Sequence, residues 1–170
     1  SYGVSLMNDC KYGYSMKDRV MTQTLIKSGT EPNLTADQEE HSFTYSLYPH
    51  AGTWREAGTV QEALNLNVPA KAVFGAAEKD RMEFLSADKR NVVLETVKKA
   101  EDGDGMIVRL YEVENARTKV TLHCAESILS AEETNLLEQP ADGAIDVKEN
   151  EISLTIKPYE IRTIRIRTEK

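Results

Sequence analysis

A chain of 170 residues suffices for one large folded domain or two small ones, and 40% hydrophobic with 29% charged residues excludes a disordered polypeptide. A formal net charge of −7 disfavours a phosphate backbone or an anionic membrane as partner, so neither nucleic acid nor membrane is expected to bind. The nearest approach to a basic patch is Arg162, Arg165 and Arg167, and Arg165 and Arg167 stand two apart among isoleucines, which reads as the wet face of a strand.

No apolar run approaches the ~18 residues of a membrane span, and no basic-then-apolar leader opens the sequence. Cys10 and Cys124 lie far apart without CxxC spacing, which indicates neither a zinc site nor a disulfide framework and favours a reducing compartment. The expectation is a soluble, cytoplasmic protein. The chain starts Ser1-Tyr2-Gly3-Val4, without an initiator methionine, and is read as cut from a longer polypeptide, so that any catalytic groups carried by an upstream part would be missing with it.

Along the chain, residues 3–7 form a short β-like run, followed by a polar loop from Asn8 to Tyr14 whose Asn, Asp and Gly favour turns. Val20 to Lys27, rich in Thr, Leu and Ile, reads as a strand with both faces partly covered. A long surface connection over residues 29–40 leads to a strand from His41 to Tyr48, with Phe43, Tyr45 and Leu47 expected on its buried face.

Thr53-Trp54-Arg55-Glu56 has the form of a capping box, and Trp54, Ala57, Val60 and Leu64 then recur at helical spacing, so a helix of about three turns or fewer should start there and end before Pro69. The charged residues Glu78, Lys79, Asp80 and Arg81 are the best internal boundary. Beyond it, the polar residues 101–105 join Asn91–Lys99 to Met106–Glu114 as an antiparallel hairpin.

Thr118, Val120, Leu122 and Cys124 define a dry face against Arg117, Lys119, Thr121 and His123, so Cys124 is packing. Ile152, Leu154 and Ile156, with Ile164 and Ile166 after Pro158, read as a second hairpin-like pair. Short alternating strands, polar turns and little helix specify an all-β chain built as a β-sandwich with one short helix.

Few residues suggest chemistry. His41 and His50, near Asp37, Glu39 and Glu40, would stand roughly 30 Å apart on an extended strand at ~3.3 Å per residue, which opposes a shared metal site. The carboxylate groups Asp37/Glu39/Glu40 and Glu132/Glu133 fall in what read as polar, solvated loops, where nothing tunes a carboxyl for acid–base work. No nucleophile elbow, P-loop or dinucleotide fingerprint is present. Catalytic residues: none; metal ligands: none.

Asn33-Leu34-Thr35 has the form of a glycosylation acceptor and is set aside. The better lead is the loop at residues 8–14. There Tyr12 and Tyr14 offer aromatic faces for a sugar ring, and Asn8, Asp9 and Lys11 offer donors and acceptors; the competing reading packs the tyrosines over a sheet edge.

The segment Leu6-Met7-Asn8-Asp9-Cys10-Lys11-Tyr12-Gly13 closely resembles a block in the C-terminal part of bacterial and cytosolic-type α-mannosidases of glycoside hydrolase family 38. The likeness runs on through Asp37, His41 to His50, Gly52, Glu56-Ala57-Gly58 and Ala63 to Pro69, and more weakly through Val108 to Glu112 and Lys157 to Thr163.

The resemblance implies a parent enzyme that removes α-linked mannose with retention through a covalent intermediate, with a divalent metal, usually zinc, gripping the terminal sugar. It also implies that nucleophile and metal ligands belong to an absent N-terminal α/β barrel, leaving no cofactor in this portion. Residues 1–76 then resemble the end of a large β super-sandwich and residues 77–170 a small terminal sandwich.

The expected role is to scaffold the catalytic domain, the chain's own partner, and to lend Asn8, Asp9, Lys11 and Tyr12 to the rim that meets a mannose-containing oligosaccharide. Exposed apolar edges are expected on residues 1–76 unless they pack on the second sandwich or on another copy of the chain. The alternative is a stand-alone carbohydrate-binding or protein-interaction sandwich with no enzymatic parent.

Overall fold

The computed structural model describes residues 1–76 and 80–169, and the chain divides into two compact units, Ser1–Phe74 and Gly75–Lys170, each taken here by itself. Of the boundary expected at residues 78–81, Glu78 and Lys79 lie outside the described residues.

In the first unit, strands β1 (Tyr2–Asn8) and β4 (Tyr45–Ala51) pair antiparallel, with Leu6 opposite Leu47 and Val4 opposite Pro49. Strands β2 (Gly13–Lys17) and β3 (Val20–Thr24) form a separate hairpin. Its two turn residues, Asp18 and Arg19, have φ of 50° and 65°, the handedness that matches the twist of tightly joined strands.

Helix α1 (Thr59–Asn67) covers one face of the β1–β4 pair. On that face the Ser5 and Thr59 hydroxyls hydrogen-bond at 2.8 Å, and the Tyr48 hydroxyl donates to the Ala57 carbonyl at 3.1 Å. The opposite face presents Tyr2, Val4, Tyr45 and Leu47, all exposed, and Met7 is the one buried apolar side chain among the unit's described residues.

Three expectations need correction here. The strand expected from His41 starts at Tyr45, and its covered residues are Ser46, Tyr48 and His50, whereas Tyr45 and Leu47 are exposed. The period of two was legible, but α1 docks through hydroxyls on the more polar face and leaves the apolar face uncovered. The strand expected over residues 20–27 ends at Thr24, and its faces are mostly open because among the described residues it pairs with β2 alone.

The capping box forms, with Glu56 N–H donating to Thr53 Oγ1 at 3.3 Å and Thr53 N–H donating to Glu56 Oε2 at 2.7 Å. It closes a turn rather than starting the helix. Gly58, at φ 67°, sits in the left-handed region and interrupts the helical run, so α1 begins one residue later and Trp54 falls outside it.

The second unit is a sandwich of two antiparallel four-stranded sheets. Strands β5 (Leu85–Ala87), β8 (Thr118–Cys124), β10 (Asp146–Lys148) and β11 (Glu151–Ile156) form one sheet in the order β10-β11-β8-β5. Strands β6 (Val92–Lys99), β7 (Met106–Glu112), β9 (Ile128–Thr134) and β12 (Ile161–Thr168) form the other in the order β6-β7-β12-β9. Val108, Leu110, Val120, Leu122, Cys124, Ile152, Leu154, Ile156, Ile164 and Ile166 make the shared core.

The expected β6–β7 hairpin is present, as is the dry face of β8 with Cys124 buried. Gly105, at φ 85°, closes the hairpin loop where a Cβ would stand 2.6 Å from the Ile166 carbonyl oxygen.

β11 and β12 are not the expected hairpin pair. β11 pairs with β8 and β10, β12 with β7 and β9, and the chain crosses between sheets through Pro158 and Tyr159. Their isoleucines therefore meet across the sandwich rather than side by side in one sheet.

Arg165 also differs from expectation. It lies on the face opposite the isoleucines, as the alternation requires, but is only 6% exposed. Residues of the β9–β10 connection and of the β6–β7 loop bond to it: Arg165 Nη1 donates to Asp102 Oδ2 at 2.6 Å and Nη2 to the Glu138 carbonyl at 3.1 Å. Glu132 and Glu133 lie on β9 rather than in a solvated loop, and Glu133 forms a nearly buried pair with Arg162.

Candidate functional site

The tip between β1 and β2 is narrower than expected, residues 9–12, because Asn8 ends β1 and Gly13 and Tyr14 begin β2. Asn8 organises it. Its Oδ1 accepts from the Cys10 N–H at 3.0 Å and from the Lys11 N–H, and its Nδ2 donates to the Tyr14 hydroxyl. This is the Asx-type turn that lets Asn replace a backbone acceptor.

Asp9 is tied to the residue preceding β4, its Oδ1 accepting from the Thr44 N–H at 2.9 Å while its own N–H donates to the Thr44 carbonyl at 3.2 Å. The Thr44 backbone bond, then a bond from Cys10, hold the Asp9 carboxyl below its usual range. The same Asp9 bond, with some help from burial, pushes the Cys10 thiol up.

Lys11 places its ammonium 4.9 Å from the centre of the Phe43 ring, a cation–π contact. Tyr12 alone of the four candidate rim residues makes no such bond among the described residues, and it is 89% exposed. Asn8, Asp9 and Lys11 thus build the loop and Tyr12 is the group the loop presents. Tyr14 lies at one end of a shallow groove with Leu6, Met16 and Met21.

The histidines are placed separately. His41 bonds the Asp37 carbonyl, His50 bonds Ser5 Oγ and lies against Gly3, and His123 faces Glu151. Among the described residues no group of three or more His, Cys, Asp or Glu side chains is arranged to hold a metal ion. The zinc that the resemblance implies has no such ligand group among the described residues.

One feature of the second unit escaped the sequence. Beside β7, Tyr111, Tyr159, Ile161 and Leu136 line an open, largely apolar pocket of about 560 Å³, with Glu95 and Arg109 among its walls. The signal was an aromatic residue in the turn Pro158-Tyr159-Glu160 between two alternating strands, but the turn reads as a hairpin until the strands are known to separate.

Strand order and core define an all-β protein whose second unit is a two-sheet antiparallel sandwich. Residues 91–164 match the model of the glycosyl hydrolases family 38 C-terminal beta sandwich domain. The chain is 35% identical over 169 residues to alpha-mannosidase 2C1 of Mus musculus and 36% identical over 174 residues to alpha-mannosidase G of Dictyostelium discoideum, alignments that take in 96% of the chain and 16% of each relative. It is 27% identical over 192 residues to an alpha-mannosidase of Saccharomyces cerevisiae, covering 98% of the chain and 17% of that protein. The chain spans about a sixth of the length of the curated relatives it matches.

Proposed function

We propose that this chain is the non-catalytic C-terminal β portion of a retaining, metal-dependent, exo-acting α-mannosidase, and that its work is to scaffold the catalytic domain. The observation that carries the reading is the β1–β4 pair, whose apolar face of Tyr2, Val4, Tyr45 and Leu47 has no cover within its own unit. A two-stranded sheet with an open apolar face is marginal alone and calls for further polypeptide against it. In this reading residues 1–76 complete a larger β-sandwich of the parent enzyme, and residues 77–170 form its small terminal sandwich.

In this reading the nucleophile and the zinc belong to the rest of the parent protein. The loop at residues 9–12 serves as part of the mannose pocket's rim, with Tyr12 facing the oligosaccharide and Asn8, Asp9 and Lys11 setting its position. The unpaired cysteines Cys10 and Cys124 fit a reducing compartment, and the cytoplasm is the proposed location. No helix of the described residues is long and apolar enough to cross a membrane.

The direct test compares p-nitrophenyl α-mannoside hydrolysis by the full reading frame and by this chain, with added zinc and with chelator. Chelator-sensitive activity confined to the full protein is expected. Activity in the chain alone would overturn the assignment of chemistry elsewhere, and activity in neither would overturn the mannosidase reading.

A further inference from the structure

The β1–β4 pair has two outer edges, and they are not alike. In an antiparallel pair, residues that exchange backbone bonds with the partner alternate with residues whose N–H and C=O both point away from it. The bonds at the two ends of the ladder set the phase: the Gly52 N–H donates to the Ser1 carbonyl at 3.1 Å, and the Asp9 N–H donates to the Thr44 carbonyl at 3.2 Å. Carried along the register, this phase turns Gly3, Ser5 and Met7 toward β4 and turns the backbone groups of Tyr2, Val4, Leu6 and Asn8 outward. On β4 the outward residues are Tyr45, Leu47, Pro49 and Ala51.

The outer edge of β4 is closed to a further strand. Pro49 has no N–H to offer, and proline within a sheet is confined to edge strands. His50 Nδ1 donates to the Ala51 carbonyl at 3.2 Å, and Gly52, at φ 70°, turns the chain out of the strand. The outer edge of β1 is different. β4 is its one strand partner among the described residues, and Tyr2, Val4 and Leu6 each carry both an N–H and a C=O. At the far end Asn67 Nδ2 donates to the Asn8 carbonyl at 3.1 Å, so the open row runs from Tyr2 to Leu6.

Donors and acceptors that repeat every second residue, about 7 Å apart, match another extended backbone. The side chains of Tyr2, Val4 and Leu6 stand on the face that also holds Tyr45 and Leu47, so an added strand extends that apolar face. Alignments that take in 96% of this chain span 16% of each relative, so most of each relative lies outside the matched part and could supply the strand. We infer that the outer edge of β1, and not that of β4, is the seam at which this unit receives an extended strand from polypeptide outside the chain. The parent protein as the source of that strand rests on the scaffold reading; the choice of edge does not.

The test reads amide hydrogen exchange at single residues in the full reading frame and in this chain, with aryl α-mannoside hydrolysis measured in parallel. In this chain the Val4 and Leu6 amides should exchange fast beside the slower Ser5 and Met7. In the full reading frame Val4 and Leu6 should slow by about tenfold or more, while Leu47, which points outward on β4, should stay unchanged. Unchanged exchange at Val4 and Leu6, or protection gained at Leu47, overturns the choice of edge. Protection at Val4 and Leu6 that is already present in this chain and grows with its concentration gives the edge to a second copy and overturns the proposal as well. Hydrolysis without the protection sinks the seam and spares the enzyme reading; protection without hydrolysis does the reverse.

Discussion

Glu112 is 1% exposed yet ionised, because its neighbours are donors rather than charges. Burial works to raise its pKa and is outweighed by bonds from the Tyr159 N–H, the Asn91 amide and the Glu114 and Ala116 backbone, leaving the carboxyl below its usual range. A carboxyl depressed in the folded state adds stability above its unfolded pKa of about 4.3 and loses it as pH falls through the folded value. The second unit should therefore weaken below about pH 4, and Glu112→Gln should flatten that dependence in acid-unfolding curves. At neutral pH, Glu112→Ala strands several buried donors and should cost about 2–4 kcal/mol in urea titrations.

Arg165 and Arg167 separate two effects on one strand. Arg165 is nearly buried and bonded to Asp102 and Glu138, so Arg165→Ala should cost about 3 kcal/mol by leaving those partners unpaired. Arg167 pairs with Asp104 at 2.8 Å and Glu132 at 3.0 Å but is a third exposed, so Arg167→Ala should cost about 1 kcal/mol or less. Chemical denaturation of both variants checks the order. Sequence alternation put both on the face away from the isoleucines; it could not reveal that the segment following β9 folds over Arg165 but leaves Arg167 open.

At the level of elements, local chemistry was readable and long-range partners were not. The β6–β7 hairpin, the dry face of β8, the length of α1 and the hydrogen bonds of Thr53 with Glu56 all follow from neighbours within a few residues. The pairing of β11 and β12 does not, because alternation identifies a strand's apolar side and says nothing about which sheet it joins. Likewise, within the loop at residues 9–12, the Asn8 bonds are local, but the contacts of Asp9 and Lys11 depend on Thr44 and Phe43, more than thirty residues further along. Hydrogen exchange should rank these elements: slowest in β7, β8 and β12, whose residues fill the core, and fastest in the β2–β3 hairpin, which lacks buried side chains.

If the loop at residues 9–12 forms the proposed rim, two variants of the full enzyme should show different losses. Tyr12→Ala should raise KM with melting temperature unchanged, because the ring is free of internal bonds; Asp9→Ala should loosen the loop and lower both kcat and thermal stability. Steady-state kinetics with a mannose oligosaccharide, beside thermal melts, distinguishes them. Unchanged kinetics in both would remove the loop from the rim.

For the whole molecule, the two units differ in how complete they are. The second encloses its own apolar core between two sheets, whereas the first leaves its most apolar sheet face open. That contrast, with a chain that aligns almost entirely to relatives about six times its length, underlies the scaffold reading.

Leu47 tests it most directly. It is 63% exposed in this chain, so Leu47→Lys should leave the melting of the 170-residue protein unchanged to within about 0.5 kcal/mol. In the full reading frame the same substitution should bury a charge against the added polypeptide, destabilising the protein by about 2–4 kcal/mol and lowering mannosidase activity with it. An equally small effect in both proteins would contradict the account, because the apolar face would then be bare in the parent as well.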